Sequence, residues 1–409
     1  MNILIVNSKY PPEYAGSALR AHNTYLRLRE KYAINVKVLC SSIEFNSSQK
    51  YSLDGISVQR IANKIELNGS RYSRILKKNS ILHKIARKYV SLINVVNESI
   101  PTMIYLIKNY KWIDMIHVFG NVTVTSTAII FSKFTKIPIL IELVNLVETP
   151  SFSEPKILSF LIGSGYPKHA KFVAISVALK NACIRAGIES SSIWCRPNPV
   201  NEEKFHYNRC SVNNRYNNLN LNKKQDVTIL HLAKFMPLKN QIFLLGVMKI
   251  LPINYKLILA GPSINSGPFI DRDKEYLRQI INEVENYELS DRVDVLAAFI
   301  TNPSELMASV DVFVFPSKRE ALGTPVLEAI ACGLPVVTSD IPGVFDQWVH
   351  EGINGFTCIL DQELWADRIV KASQISKTSL QKASANILKV ASTEVIDAQY
   401  YDQFRNIIS

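Results

Sequence analysis

Several things are missing from this sequence. No uninterrupted apolar run reaches the roughly 18 residues that a membrane-spanning helix needs. The start, MNILIVNSKYPP, has no basic segment ahead of its apolar stretch, and that stretch is too short for the core of a secretory leader. It reads as a first buried strand, and the expected location is the cytoplasm. The six cysteines (Cys40, Cys183, Cys195, Cys210, Cys332, Cys358) include no Cys-x-x-Cys pair, which speaks against a zinc site or a disulfide framework and for reduced, buried thiols. No Gly-x-Gly-x-x-Gly follows the first strand, so the fingerprint of a dinucleotide dehydrogenase is absent. Acidic residues are in deficit, 35 against 47 basic ones, for a net charge of +12. Such an excess implies an anionic partner, and nucleic acid, an anionic membrane surface and phosphorylated substrates all qualify, with solubility the plainer explanation. No nucleic-acid module and no aromatic–basic stacking pattern is present, so nucleic acid is not expected.

What is there is a chain of 409 residues, 47% hydrophobic and 20% charged, about right for two α/β cores. NILIVN (2–7) is a short apolar run bounded by turn residues, and a loop with Pro11, Pro12 and Gly16 follows. Ser17 suits the cap of a helix running to about Tyr32, and VKVLC (36–40) is the next strand. Further strands are expected at 115–119, 138–143 and 171–176. Residues 206–225 are polar, aperiodic and rich in Asn, as a linker is. The pattern then restarts with strands at 227–233, 255–261, 292–299, 311–317 and 335–339. Strand–helix alternation predicts parallel sheets covered on both faces. The expected division is 1–200 for an N-terminal domain, joined by a C-terminal helix at about 388–409 that crosses back to it, and 201–387 for a C-terminal domain.

Residues 71–111 interleave Arg71, Arg74, Lys77, Lys78, Lys84, Arg87 and Lys88 with Ile, Leu, Val and Tyr. One reading is one or two amphipathic helices lying on an anionic bilayer, at about 1 kcal/mol per basic residue near the surface. The other is a helix packed on its own sheet with a solvated basic face.

The chemistry concentrates in PSKREALGTPVLEAIACGLPVVTSDIPGV (316–344). A strand ends at Pro316, a loop follows, and a helix is expected from about Pro325 to Cys332. Thr324 suits its N-cap and Pro325 its first turn, while Gly323 lets a ligand approach the backbone closely. Open N–H groups at the helix start suit a phosphate. Glu320 stands just before that start and Glu328 about one turn inside, where a carboxylate suits a ribose diol. The plain alternative is a pair of surface carboxylates near a helix N-terminus, where negative charge is favoured.

The spacing of EALGTPVLE (320–328) resembles that of the GT-B glycosyltransferases of the family 4 type, the group 1 glycosyl transferases, which carry Glu, seven residues and a second Glu around a Gly. LAKFMPLKN (232–240) resembles their "GR-x-x-x-x-KG" element, with Lys234 at the arginine position and Lys239 at the lysine. Fixed cations there would steady a departing diphosphate, and Lys at the arginine position keeps the charge but loses bidentate geometry. ILAGP (258–262) and LAAFI (296–300) are similar to two strand ends near the base, with Gly261 and Phe299 on the donor. AGSALR (15–20) resembles the "GG-x-x-R" loop, with Gly16 kept; a turn needing positive φ is the alternative for Gly16. FVAISVALKNACIRAGI (172–188) and RPNPVNEEKF (196–205) resemble the segment before the interdomain hinge, with Pro199 and Asn201 replacing its Gly and Asp. The resemblance is strong from about 227 to 357 and weak between 45 and 110.

The resemblance implies two Rossmann-like domains facing each other across a cleft, and sugar transfer from a UDP- or GDP-type donor to a hydroxyl with retention at the anomeric carbon. It implies no metal and no cofactor, and there is no Asp-x-Asp placed as metal-dependent GT-A enzymes need. Glu320, Lys239 and His117 are the expected catalytic residues. Gly16, Lys234, Lys239, Gly261, Phe299, Glu320, Ala321, Leu322, Gly323, Thr324 and Glu328 are the expected donor contacts. His117 matches a common family histidine, a structural histidine being the alternative. The position of another family histidine falls near Val144, leaving Glu142 and Asn145 as polar candidates. That departure keeps a non-catalytic partner subunit open, and a nucleotide-sugar epimerase is a further alternative. The expected acceptor is a lipid-linked or growing surface glycan, such as O-antigen or capsule, with the protein peripheral on the inner membrane face.

Overall fold

The computed structural model describes residues 1–13, 16–42, 45, 47–62, 80–120, 122–143, 165–207, 226–263 and 269–409, with 80–87 described by their backbone alone. The chain divides into two compact units. The first holds Met1–Ala174, Lys180–Cys195 and Asp397–Ser409, and the second Ile175–Leu179 and Arg196–Ile396. The last helix therefore begins in the second unit and ends in the first.

The first unit is built on strands β1 (Asn2–Asn7), β2 (Asn35–Ser41), β3 (Gln49–Leu53), β4 (Ile56–Ile61), β5 (Met115–Phe119), β6 (Ile139–Leu143), β7 (Lys171–Ala174) and β8 (Ile193–Cys195). They lie in the order β3-β4-β2-β1-β5-β6-β7-β8. Runs such as ILIV and MIHV are apolar without alternation because both faces of a parallel sheet are covered; Ile3 to Val6 and all of β5 are buried. Helices α1 (Gly16–Tyr32), α2 (Ser80–Asn109), α3 (Thr123–Thr135) and α4 (Val177–Arg185) complete the chain up to β8.

The sheet departs from the all-parallel expectation at one edge, where β3 and β4 pair antiparallel. The cause is local. Asp54 and Gly55 both have positive φ, 48° and 75°, the two-residue turn whose twist suits a tight hairpin. The basic stretch 71–111 resolves into the single helix α2 from Ser80, while Arg71, Arg74, Lys77 and Lys78 lie outside the described residues. Most of the expected linker, 208–225, and Cys210 lie outside them too; the five other cysteines are free, and all but Cys195 are buried.

The second unit has six parallel strands: β9 (Val227–Leu232), β10 (Tyr255–Ala260), β11 (Val293–Leu296), β12 (Val312–Phe315), β13 (Val336–Ser339) and β14 (Gly355–Cys358). Their order is β11-β10-β9-β12-β13-β14, the doubly wound order in which the chain reverses direction across the sheet between its first and fourth strands. Helices α5 (Gln241–Ile250), α6 (Ile270–Asn286), α7 (Pro303–Ala308), α8 (Thr324–Ala331), α9 (Gln362–Ser373) and α10 (Lys377–Ala391) follow the strands, and α11 (Thr393–Ile408) ends the chain. Leu245, Leu257, Val312, Val314, Val337 and Trp365 form part of the core under the sheet.

Candidate active site

In an open parallel sheet, ligands bind beyond the carboxyl ends of the strands where the order reverses. In the second unit that point lies between β9 and β12. The loop after β9 carries Lys234 and, in a short 3-10 turn, Lys239. The loop after β12 carries Ser317 and Glu320 and leads into α8. A backbone hydrogen bond from Lys318 N–H to the Leu238 carbonyl, 2.9 Å, ties the two loops together.

The geometry joins residues 81 positions apart. The Lys239 ammonium donates to Glu320 Oε2 in a partly buried ion pair. It also lies 4.9 Å from the centre of the Phe315 ring, where a cation is attracted to the aromatic face. The second Glu320 oxygen, Oε1, accepts the Ala321 N–H at 3.2 Å. Two of the three expected catalytic groups thus hold each other at the strand ends.

Helix α8 begins at this ion pair. Its cap is Gly323, with φ 72° and ψ 59°, and no side chain caps the first turn. This moves the expected cap by one residue. Gly323 takes the left-handed conformation that a β-carbon would oppose, and a β-carbon there would stand 2.7 Å from the Phe345 ring. Thr324 is the first helical residue, and its hydroxyl accepts a 2.8 Å hydrogen bond from Asn198 Nδ2. Without a capping side chain, the first-turn N–H groups form a positive, anion-attracting end. Ala321, Leu322 and Gly323 are buried in the approach to it.

One turn in, the half-buried Glu328 has no side-chain hydrogen bond or ion pair among the described residues. Burial by the surrounding protein pushes its carboxyl up to about 7.

The other expected contacts sit as follows. Lys234 is half-buried in the β9 loop, its carbonyl held by Gln241 Nε2 at 2.9 Å. Gly261, at the end of β10, has φ 145°, and a β-carbon there would lie 1.9 Å from the Ala233 carbonyl oxygen. Its need for glycine comes from the β9 loop pressing on it. Phe299, beyond β11, is 56% exposed. Gly16 opens α1 without a positive φ and with open space where a β-carbon would stand, so a strained turn is not its reason.

His117 is corrected. It lies in the middle of β5, fully buried. Tyr25 shares a hydrogen bond with its Nδ1 at 2.7 Å, and the rings of Phe119, Tyr400 and Phe404 enclose it. A histidine on an interior strand position of a doubly covered sheet packs into the core, which is the structural alternative. Glu142 is also engaged: Arg20 and the Tyr400 hydroxyl each bond it at 2.5 Å. Val144 and Asn145 lie outside the described residues. Among the described residues no group of three or more His, Cys, Asp or Glu is placed to hold a metal ion.

The sequence reading passed over Asn198, Phe315 and Phe345. Asn198 lies in the RPNP stretch just before the second unit's sheet, and nothing in the sequence marks it as the partner of Thr324, 126 positions on.

Residues 214–387 match the family of glycosyl transferases group 1. The match falls within the second unit. An N-acetyl-alpha-D-glucosaminyl L-malate synthase of Bacillus anthracis is 26% identical over 191 residues, 44% of this chain and 46% of that protein. The capsular polysaccharide biosynthesis glycosyltransferase CapM of Staphylococcus aureus is 27% identical over 192 residues, 46% of this chain and 45% of that protein. The chain thus spans less than half the length of these curated relatives. Among solved structures, Anabaena Alr3699/HepE in complex with UDP and glucose has a TM-score of 0.69 at 17% identity, covering 99% of this chain and 100% of that one. At that identity the likeness is one of fold, and the fold class is GT-B: α/β, with two Rossmann-like units. The match to the group 1 domain contains Lys234, Lys239, Gly261, Phe299 and all of 320–328.

Proposed function

We propose that the protein is a retaining glycosyltransferase that moves a sugar from a UDP- or GDP-type nucleoside diphosphate sugar to a hydroxyl of a glycan. The observation that carries this reading is the convergence of the Lys239–Glu320 pair on the uncapped start of α8, with the unpartnered Glu328 one turn inside. The diphosphate would rest on the first-turn N–H groups, the ribose diol on Glu328 and the base near Phe299.

Donor binding would divide the ion pair. The diphosphate outbids a single carboxylate for Lys239, and Glu320 is released to the sugar hydroxyls and to the positive charge developing at the anomeric carbon. Lys234 adds a second positive charge, so that the leaving group is steadied by ammonium groups without a divalent cation. In the transfer step the acceptor oxygen bonds to the anomeric carbon as the bond to phosphate oxygen breaks on the same face. The acceptor proton passes to that phosphate oxygen. His117 takes no part, so no protein base is assigned.

The acceptor would be a lipid-linked or growing surface-polysaccharide glycan at the cytoplasmic face of the membrane. Support comes from relatives named for capsular polysaccharide synthesis and from the basic segment 71–111.

The test is release of nucleoside diphosphate from UDP- and GDP-sugars, with the anomeric configuration of the product read by NMR. Glu320→Gln and Lys239→Ala are each expected to lower turnover by about a hundredfold or more, the size of effect seen when one electrostatic contact to a transition state is lost. Their thermal midpoints should stay near wild type. Full activity in either variant would refute the site. Interconversion of the donor sugar without release would favour the epimerase, and binding without either reaction the non-catalytic subunit.

A further inference from the structure

The inward side of α2 is fixed. Glu98, Thr102 and Leu106 are buried, and Ser41 Oγ donates to Glu98 Oε1 at 2.8 Å. Thr127 Oγ1, on α3, donates to Ser99 Oγ at 3.2 Å. The helix cannot roll without breaking these bonds and turning the buried Leu106 outward.

Half a turn away stand Tyr89, Ile93, Val96, Ile100, Ile104 and Ile107. Their spacing of four, three, four, four and three residues keeps them on one face. All are between 43% and 65% exposed, and Leu92 and Tyr110 flank them with similar exposure. At about 1.5 Å per residue the stripe is roughly 27 Å long. Scattered exposed apolar residues are ordinary, but a continuous rimmed stripe marks an interaction surface.

The rim is basic. Lys88, Lys108 and Lys111 are exposed at its two ends. Among the described side chains from 88 to 112 there are three basic residues and one acidic, the inward Glu98. Two copies of this face would set like charge against like, which argues against self-pairing.

By length and composition, Lys88–Trp112 suffices to cross a membrane, although the sequence holds no uninterrupted apolar run of that length. The packed inner side argues otherwise. A lone spanning helix would offer its whole circumference to lipid, whereas α2 gives one side, Glu98 included, to its own unit.

We infer that the outer face of α2 seats on an anionic lipid bilayer. The helix lies along the surface, its apolar stripe at the boundary of headgroups and acyl chains and its lysines against anionic headgroups. This deepens the proposed membrane-face function and rests on it for its purpose.

The experiment is flotation of the full chain with phosphatidylcholine vesicles, with and without phosphatidylglycerol. The wild type should float with the anionic vesicles alone. The double variant Ile100→Glu/Ile104→Glu should remain in solution. Replacing Lys88, Lys108 and Lys111 by Gln should weaken binding by about a hundredfold, from about 1 kcal/mol per basic residue. Ile253→Glu, at an 80% exposed site in the second unit, should change nothing. Circular dichroism checks that each variant is folded. Unchanged binding by the Ile100→Glu/Ile104→Glu variant would overturn the inference, as would equal binding to neutral vesicles. So would a lipid-free dimer that the same variant dissolves, since that places a second copy on the stripe. Vesicle binding needs neither donor nor acceptor, and nucleoside diphosphate release in solution should be untouched in the α2 variants. Either proposal can therefore fail while the other stands.

Discussion

Two titratable side chains in the second unit, the half-buried Glu328 and the buried His231, have shifts of opposite sense. The carboxyl of Glu328 is raised from 4.5 to about 7 by burial. The folded chain therefore holds this proton more tightly than the unfolded chain does. The stability gained is complete below about 4.5 and is lost as pH rises through about 7. A ligand whose hydroxyls bond the carboxylate favours the ionised form. Nucleoside diphosphate binding should then release a proton near neutral pH, read by calorimetry in buffers of different ionisation enthalpy. Glu328→Gln should abolish the release while keeping or raising the thermal midpoint above neutral pH. His231, on β9, moves the other way. Burial lowers it from 6.5 to about 4, its Nδ1 lies 3.0 Å from the Val314 carbonyl, and its Nε2 has no hydrogen-bond partner among the described residues. Its contribution to stability is complete above 6.5 and is lost as pH falls towards 4, by roughly 3 kcal/mol at about 1.4 kcal/mol per unit. His231→Phe should reduce the acid sensitivity of urea unfolding over that window.

At the scale of elements, the site is two loops and a helix start pressed together. Gly261 is the tightest point between loops, with the Ala233 carbonyl where a β-carbon would go. Gly261→Ala must either move the β9 loop or strain the backbone, at roughly 2–4 kcal/mol for overpacking and φ strain together. Urea unfolding should show that loss, and nucleoside diphosphate affinity should fall with it because Lys234 and Lys239 ride on the displaced loop. The helix itself was legible in sequence, because strand, proline, glycine and the Thr-Pro start follow one another within fifteen residues. The β3–β4 hairpin was equally available in its Asp-Gly pair and was passed over. The role of His117 was not legible. Its strand was recognised, but whether a position midway along a strand faces a ligand or the interior depends on the helices laid over the sheet, here α1 and α11.

At the scale of the molecule, the chain visits the second unit, returns to the first for α4 and β8, and comes back at its end with Asp397–Ser409. Arg27 binds Asp397 at 2.6 Å, Tyr400 bonds Glu142, and Phe404 is fully buried in a stack with Tyr25. Phe404→Ala should cost the first unit about 3–5 kcal/mol, the range for a buried aromatic. Hydrogen exchange should show faster opening of β1, β5 and β6, with α8 and β9–β13 unchanged. A drop in protection spread evenly over both units would contradict that partition.

Sequence alone determined the strand–helix alternation, the parallel pairing away from the β3–β4 edge and the start of α8, because each depends on neighbours a few residues apart and on the continuous apolar runs that a doubly covered strand requires. Tertiary structure decided the rest. The pairing of Lys239 with Glu320, the bond from Asn198 to Thr324, the enclosure of His117 and the outward turn of the α2 stripe join or separate residues far apart in the chain. Strand order and the packing of one layer on another set those distances, and no local pattern encodes them.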